Sequence, residues 1–138
     1  DPHRYLSMPV LRYIAAKTGV PPARLFSTAS FFSLFNLIPQ GKNVICVCRG
    51  TACHTRNSRD LLEKLCLELG LAVDDVHALS DADKLSLTTA DRNFTIRTVA
   101  CFGQCALAPV IEINHQILSH VNERTLQREV KTLTQGRL

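Results

Sequence analysis

Residues 43–53 read Asn43-Val-Ile-Cys-Val-Cys-Arg-Gly-Thr-Ala-Cys53. The first five residues are short, apolar and rich in β-branched side chains, the signature of a strand buried inside a sheet. Cys48 and Cys53 follow in the loop that leaves this strand, with C-x4-C spacing. Farther along, Phe94 to Val99 alternates like a half-buried strand, and the loop after it carries a second pair, Cys101 and Cys105, spaced C-x3-C. If the two strands are neighbours, four thiols converge at one edge of the sheet.

Working outward, residues 58–70 predict a helix with Ser58 as N-cap, a stripe of Leu61, Leu62, Leu65, Cys66 and Leu69, and Gly70 as its close. Residues 74–91 are polar and weakly patterned, with 85–89 the best strand candidate. Residues 110–114 and 116–119 form a hairpin turning at Asn114-His115, and Asn122 caps a last helix through Leu126, Val130 and Leu133. Upstream, a helix over 7–18 has Pro9 in its first turn and Gly19 at its end. A second helix opens at Pro21-Pro22 and runs until Pro39-Gln40-Gly41. Its far end, with Phe31, Phe32, Leu34, Phe35, Leu37 and Ile38, is apolar nearly all round and requires cover on more than one side, from its own domain or a partner. The order helix, helix, β-α-β-β-β-α belongs to the α/β or α+β class, a small sheet with helices packed on it.

At 138 residues the chain predicts one domain with a small appendage, and 46% hydrophobic with 20% charged residues argues against disorder. The net charge of +4 is scattered as single residues, and with no Trp and two Tyr it gives little basis for nucleic-acid binding. The longest apolar stretch, 31–38, is broken by Ser33 and Asn36 and falls far short of the roughly 20 residues a bilayer demands, so no membrane span is expected. The chain opens at Asp1 with no secretory pattern, which reads as intracellular: cytoplasmic, or in the mitochondrial matrix if the source is eukaryotic. Six cysteines in such a chain point to metal or redox chemistry.

Four thiolates suit an iron–sulfur cluster or a structural zinc. Zinc knuckles are usually tighter, C-x2-C, and the wider spacing here favours a two-iron cluster; a zinc-stapled structural or interaction module is the alternative. Neither pair has the spacing of a dithiol oxidoreductase, no c-type haem motif exists, and among the histidines only His54 lies near a pair, too few for a Rieske centre. Cys46 and Cys66 lie within apolar patterns and read as core. Gly50 and Gly103 would let backbone amides approach the sulfurs, and Arg49 and Arg56, if they face the site, would raise its potential. No Gly-rich dinucleotide fingerprint or P-loop is present, so nicotinamide and flavin chemistry would belong elsewhere.

The motifs Ala29-Ser-Phe-Phe-Ser-Leu-Phe35, Pro39-Gln-Gly-Lys42, Cys48-Arg-Gly-Thr-Ala-Cys53 and Cys101-Phe-Gly-Gln-Cys-Ala-Leu-Ala-Pro109 resemble the thioredoxin-like [2Fe-2S] ferredoxin family. Its members include the 24 kDa subunit of NADH:quinone oxidoreductase (complex I) and counterparts in NAD(P)-linked and bifurcating hydrogenases and formate dehydrogenases. The resemblance implies a helical segment over 1–40, a thioredoxin-like domain with a small mixed sheet over 41–138, and one [2Fe-2S] cluster. By the same resemblance the ligands fall on Cys48, Cys53, Cys101 and Cys105, each pair holding one iron. The implied partner is an FMN- and NAD(P)(H)-binding flavoprotein in a larger hetero-oligomeric complex, with single electrons exchanged and no substrate pocket in this chain. Departures from the family pattern are Asn57 where Gly is common, Phe32 for Tyr, and Asp91-Arg92 for an Asp-Gly turn. Asn tolerates the left-handed conformation best after Gly.

Overall fold

The β-branched run after Asn43 forms β1 (Asn43–Cys48), which lies at the centre of a five-stranded mixed sheet. The computed structural model describes residues 5–32, 35–72 and 86–135, and the chain separates into two compact units, Asp1–Gln40 and Gly41–Leu138. In the second unit the strand order is β2 (Ser86–Thr88), β3 (Phe94–Val99), β1, β4 (Ile111–Ile113) and β5 (Gln116–Leu118). β1 and β3 run parallel, with Asn43 opposite Phe94 and Cys48 opposite Val99, while every other pairing is antiparallel. Asn114 and His115 take φ of 49° and 69° in the β4–β5 turn, the paired positive values that a tight hairpin requires. Asn114 also fastens this turn to the start of β1: its Oδ1 accepts the Val44 N–H at 2.9 Å and its Nδ2 donates to Asn43 Oδ1 at 2.9 Å.

Helices α4 (Ser58–Glu68) and α5 (Glu123–Gln135) carry the apolar stripes that cover the sheet. Leu61, Leu62, Leu65 and Cys66 from α4 and Leu126 and Val130 from α5 share one core with Ile45, Val47, Ile96 and Ile111 from the strands. Burial pushes the Cys66 thiol up to about 12 and the Cys46 thiol up to about 11, so both are neutral core side chains. Asn122 Oδ1 accepts the Thr125 N–H at 2.9 Å, the expected cap of α5. Gly41 sits where no side chain fits, because a Cβ there would lie 2.9 Å from the Phe94 carbonyl carbon. Its amide donates to Thr95 Oγ1 at 2.6 Å, which fixes the entry to β1 against β3.

Three local expectations are corrected. Asn57, not Ser58, is the N-cap of α4; it takes φ 64°, and Ser58 is the first helical residue. The loop after Cys48 contains a short helix, α3 (Thr51–His54), where irregular backbone was expected. In the first unit, α1 (Met8–Thr18) ends on left-handed Gly19 as expected, but α2 (Pro22–Phe31) stops well before Pro39. Phe32 turns extended at φ −82° and ψ 121°, and the Leu6 N–H then bonds the Asn36 carbonyl at 2.7 Å. Aromatic, Ser and Asn residues have weak helix propensity, and that carbonyl is engaged outside any helix. Phe31, Phe32, Phe35 and Ile38 are exposed. Of the strand candidate over 85–89, Ser86–Thr88 forms β2, and Leu85 lies outside the described residues.

Candidate metal centre

Parallel pairing of β1 with β3 sends both following loops off the same sheet edge. The Arg49 N–H donates to the Val99 carbonyl at 2.8 Å, extending the pairing one step past Cys48 before the chains diverge. The first loop then places Cys53 on α3; the second carries Cys101 and enters a 3-10 turn, Cys105–Leu107, at Cys105. α3 packs against that turn, and Arg56 Nη1 donates to the Ala108 carbonyl at 2.9 Å, so the two loops are joined from both sides. Cys48 and Cys53 are buried with Ala108 and Val110, and Ala52 and Phe102 pack against them. Cys101 and Cys105 are exposed.

Backbone amides address the sulfurs. The Gly50 N–H donates to Cys48 Sγ at 3.4 Å and the Gly103 N–H to Cys101 Sγ at 3.2 Å. Cys101 and Cys105 Sγ lie 3.6 Å apart. The Gly103 amide, with help from the Cys105 thiol, holds Cys101 below the ordinary thiol range. Cys105 moves the opposite way, because its proton is engaged by Cys101 and a charge there opposes a second one. Burial raises Cys53, and the neighbouring Cys48 adds to the rise. Cys53, Cys101 and Cys105 thus each feel a cysteine of their own pair and one of the other.

The model of the thioredoxin-like [2Fe-2S] ferredoxin family matches residues 1–134. The chain belongs to this family. Among its curated relatives, one component of the NADH-quinone oxidoreductase of Rickettsia typhi is 34% identical over 92% of this chain and 68% of its own length. The HndA component of the NADP-reducing hydrogenase of Solidesulfovibrio fructosivorans is 31% identical over 85% of this chain and 61% of its own length, so the chain spans roughly two thirds or less of such relatives. A solved NAD+-reducing [NiFe]-hydrogenase in the H2-reduced state superimposes with TM-score 0.75 over 95% of this chain and 20% of its own, at 19% identity; this likeness establishes the thioredoxin-like fold. The cofactor of the family, and of this chain, is a [2Fe-2S] cluster. Among the described residues, no helix is long and apolar enough to cross a membrane.

The residues present fit such a ferredoxin cofactor. Four thiols are the ligand count and chemistry that two irons need. Among the described residues no three His, Cys, Asp or Glu side chains are placed to share one metal ion, whereas a two-iron cluster asks only for two cysteine pairs. Gly50 keeps space between those pairs: a Cβ there would meet the Ala100 carbonyl at 3.1 Å, Cys48 Sγ at 3.5 Å and the Cys101 Cβ at 3.6 Å. Gly50→Ala should therefore press the first loop away from the second. We expect the variant to fold, to bind less iron and to lose its colour faster in air; iron content and visible absorption equal to the parent would show that the loops give way freely.

The structure brings Cys48, Cys53, Cys101 and Cys105 to one edge and leaves Cys46 and Cys66 in the core. His54 is exposed, at the end of α3. Arg56, expected to raise the potential only if it faced the site, donates its guanidinium to the Ala108 carbonyl and so acts as a brace between loops. The wall formed by Ala108 and Val110 went unread, although the apolar residues after Cys105 were its signal.

Proposed function

We propose that Cys48, Cys53, Cys101 and Cys105 hold the [2Fe-2S] cluster, one pair to each iron, and that the chain is the electron-transfer subunit of a multisubunit NAD(P)H-linked oxidoreductase. The observation that carries the ligand assignment is the pairing of β1 with β3, which starts both cysteine loops from one level, Cys48 opposite Val99. When bound, the cluster takes up and gives back one electron at a time. The Gly50 and Gly103 amides favour negative charge on the sulfurs they address. Buried Cys48 and Cys53, walled by Ala108 and Val110, keep water from one side, and exposed Cys101 and Cys105 offer the other side to a redox partner.

The names of the relatives, an NADH-quinone oxidoreductase and an NADP-reducing hydrogenase, support a nicotinamide-linked assembly of several subunits; within a hydrogenase, formate dehydrogenase or complex I type assembly, the partner proposed on the family resemblance is an FMN- and NAD(P)(H)-binding flavoprotein. In this reading residues 41–138 form the cluster domain and residues 1–40 a helical segment that clasps the flavoprotein. The six free cysteines suit a reducing compartment, the cytoplasm or a mitochondrial matrix. The test is copurification from the native source followed by anaerobic addition of NADH or NADPH. The cluster's visible absorption should bleach only while an FMN-bearing subunit is present. Zinc in place of iron, or iron with no flavin in any copurifying fraction, would overturn the proposal.

A further inference from the structure

Of the six cysteines, Cys101 and Cys105 are exposed, while Cys46, Cys48, Cys53 and Cys66 are buried. The two exposed sulfurs lie 3.6 Å apart, and a bond of about 2.05 Å asks them to close by only about 1.5 Å. The chain between them can supply that movement. Gly103 sits midway, left-handed at φ 77°, and a Cβ built there would meet nothing within 4 Å, so the loop is not wedged at its centre. The 3-10 turn that opens at Cys105 has no buried residue. Cys48 and Cys53 differ: each is 2% exposed and walled by Ala108 and Val110, where a bulky reagent does not reach them.

We propose that, before the cluster is delivered, Cys101 and Cys105 exchange with small disulfides of the glutathione class and close into a reversible disulfide that locks the site against iron. The consequence for iron rests on reading these two cysteines as ligands. In the first step the thiolate of one cysteine attacks a sulfur of oxidised glutathione, forming a mixed disulfide and releasing one glutathione. The other cysteine then attacks the protein sulfur of that mixed disulfide and releases the second glutathione. Two protein thiols are oxidised, one small disulfide is reduced to two thiols, and the protein's two protons pass to the departing glutathiones. Closure removes all of one cysteine pair, and the remaining pair is too few to hold two irons. The ring it closes is short and exposed, so the bond gains little from chain entropy and stays within reach of a reducing dithiol. Cluster delivery then answers to the thiol state of the compartment.

The test treats the full chain, cluster-free and reduced, with oxidised glutathione in the absence of air, then traps the free thiols in denaturant and maps the tryptic peptides. Cleavage after Lys and Arg puts Cys101 and Cys105 together in residues 98–124 with no other cysteine, whereas Cys48 and Cys53 fall in separate peptides, 43–49 and 50–56. Peptide 98–124 should emerge untrapped and lighter by two hydrogens, with two of the six thiols lost. Iron uptake on reconstitution should fall to near zero until dithiothreitol restores it. Cys105→Ser should stop at the mixed disulfide, with one glutathione held on Cys101. A peptide 98–124 that keeps both thiols, or a bond that instead joins Cys48 or Cys53 to another peptide, overturns the exchange. Iron that loads equally into the oxidised and the reduced chain overturns the lock. The peptide map needs no iron, so a chain that closes the bond but takes up no iron even when reduced overturns the ligand assignment, and the lock with it, while the bond itself stands.

Discussion

Replacing any one of Cys48, Cys53, Cys101 or Cys105 with Ala is expected to abolish stable cluster binding, taking iron from about two per chain to near zero and removing the visible absorption. The four changes should be about equal in effect although their surroundings differ, with Cys48 and Cys53 buried and Cys101 and Cys105 exposed. A cluster that loses one thiolate exposes an iron to water and oxygen wherever the gap falls. Cys66→Ala is the control: this thiol is fully buried and neutral, so its loss should cost packing and leave the colour. Iron assay and absorption after anaerobic reconstitution give the answer. A ligand variant that keeps both irons would remove that cysteine from the site.

The second large effect is on stability. Leu65 is 0% exposed at the middle of α4, where it meets the strands that carry both ligand loops. Leu65→Ala should destabilise the second unit by about 2–5 kcal/mol, the range for emptying a well-packed leucine site. For a unit of this size that lowers the melting temperature by about 10 °C or more. At low temperature the variant should still carry its iron, since neither loop is touched. Thermal melts followed by circular dichroism would show this, and a loss below about 1 kcal/mol would mean that α4 repacks without a cavity.

Sequence periodicity revealed most of the second unit. β1, β3, the hairpin and the α5 cap all rest on short-range signals: β-branched runs, alternation, a turn dipeptide and an Asn before a helix. What lay beyond reach was the pairing. Nothing in either strand states that β1 and β3 are neighbours or parallel, so the meeting of the cysteine loops stayed conditional until the sheet order was known. α3 was hidden because the four residues Thr51–His54 are too few to show a helical period. The end of α2 is not legible in the sequence because an apolar aromatic run satisfies a helical stripe and an irregular segment equally well, and the Leu6–Asn36 bond beyond it is a contact between distant residues.

The side-by-side parallel strands also set the order of events during synthesis. The bond from the Asn43 side chain to the Asn93 carbonyl spans 50 residues, so bringing β1 onto β3 closes a long loop, and contacts of such range form late in folding. Before that closure each cysteine pair travels on its own piece of chain and can offer only half of a binding site. If these four cysteines are the ligands, as proposed, cluster delivery is expected to follow the pairing of β1 with β3 and not to nucleate it. Once delivered, the cluster acts as a cross-link that unfolding must break, so the iron-loaded chain should outlast the iron-free one by the full free energy of cluster binding.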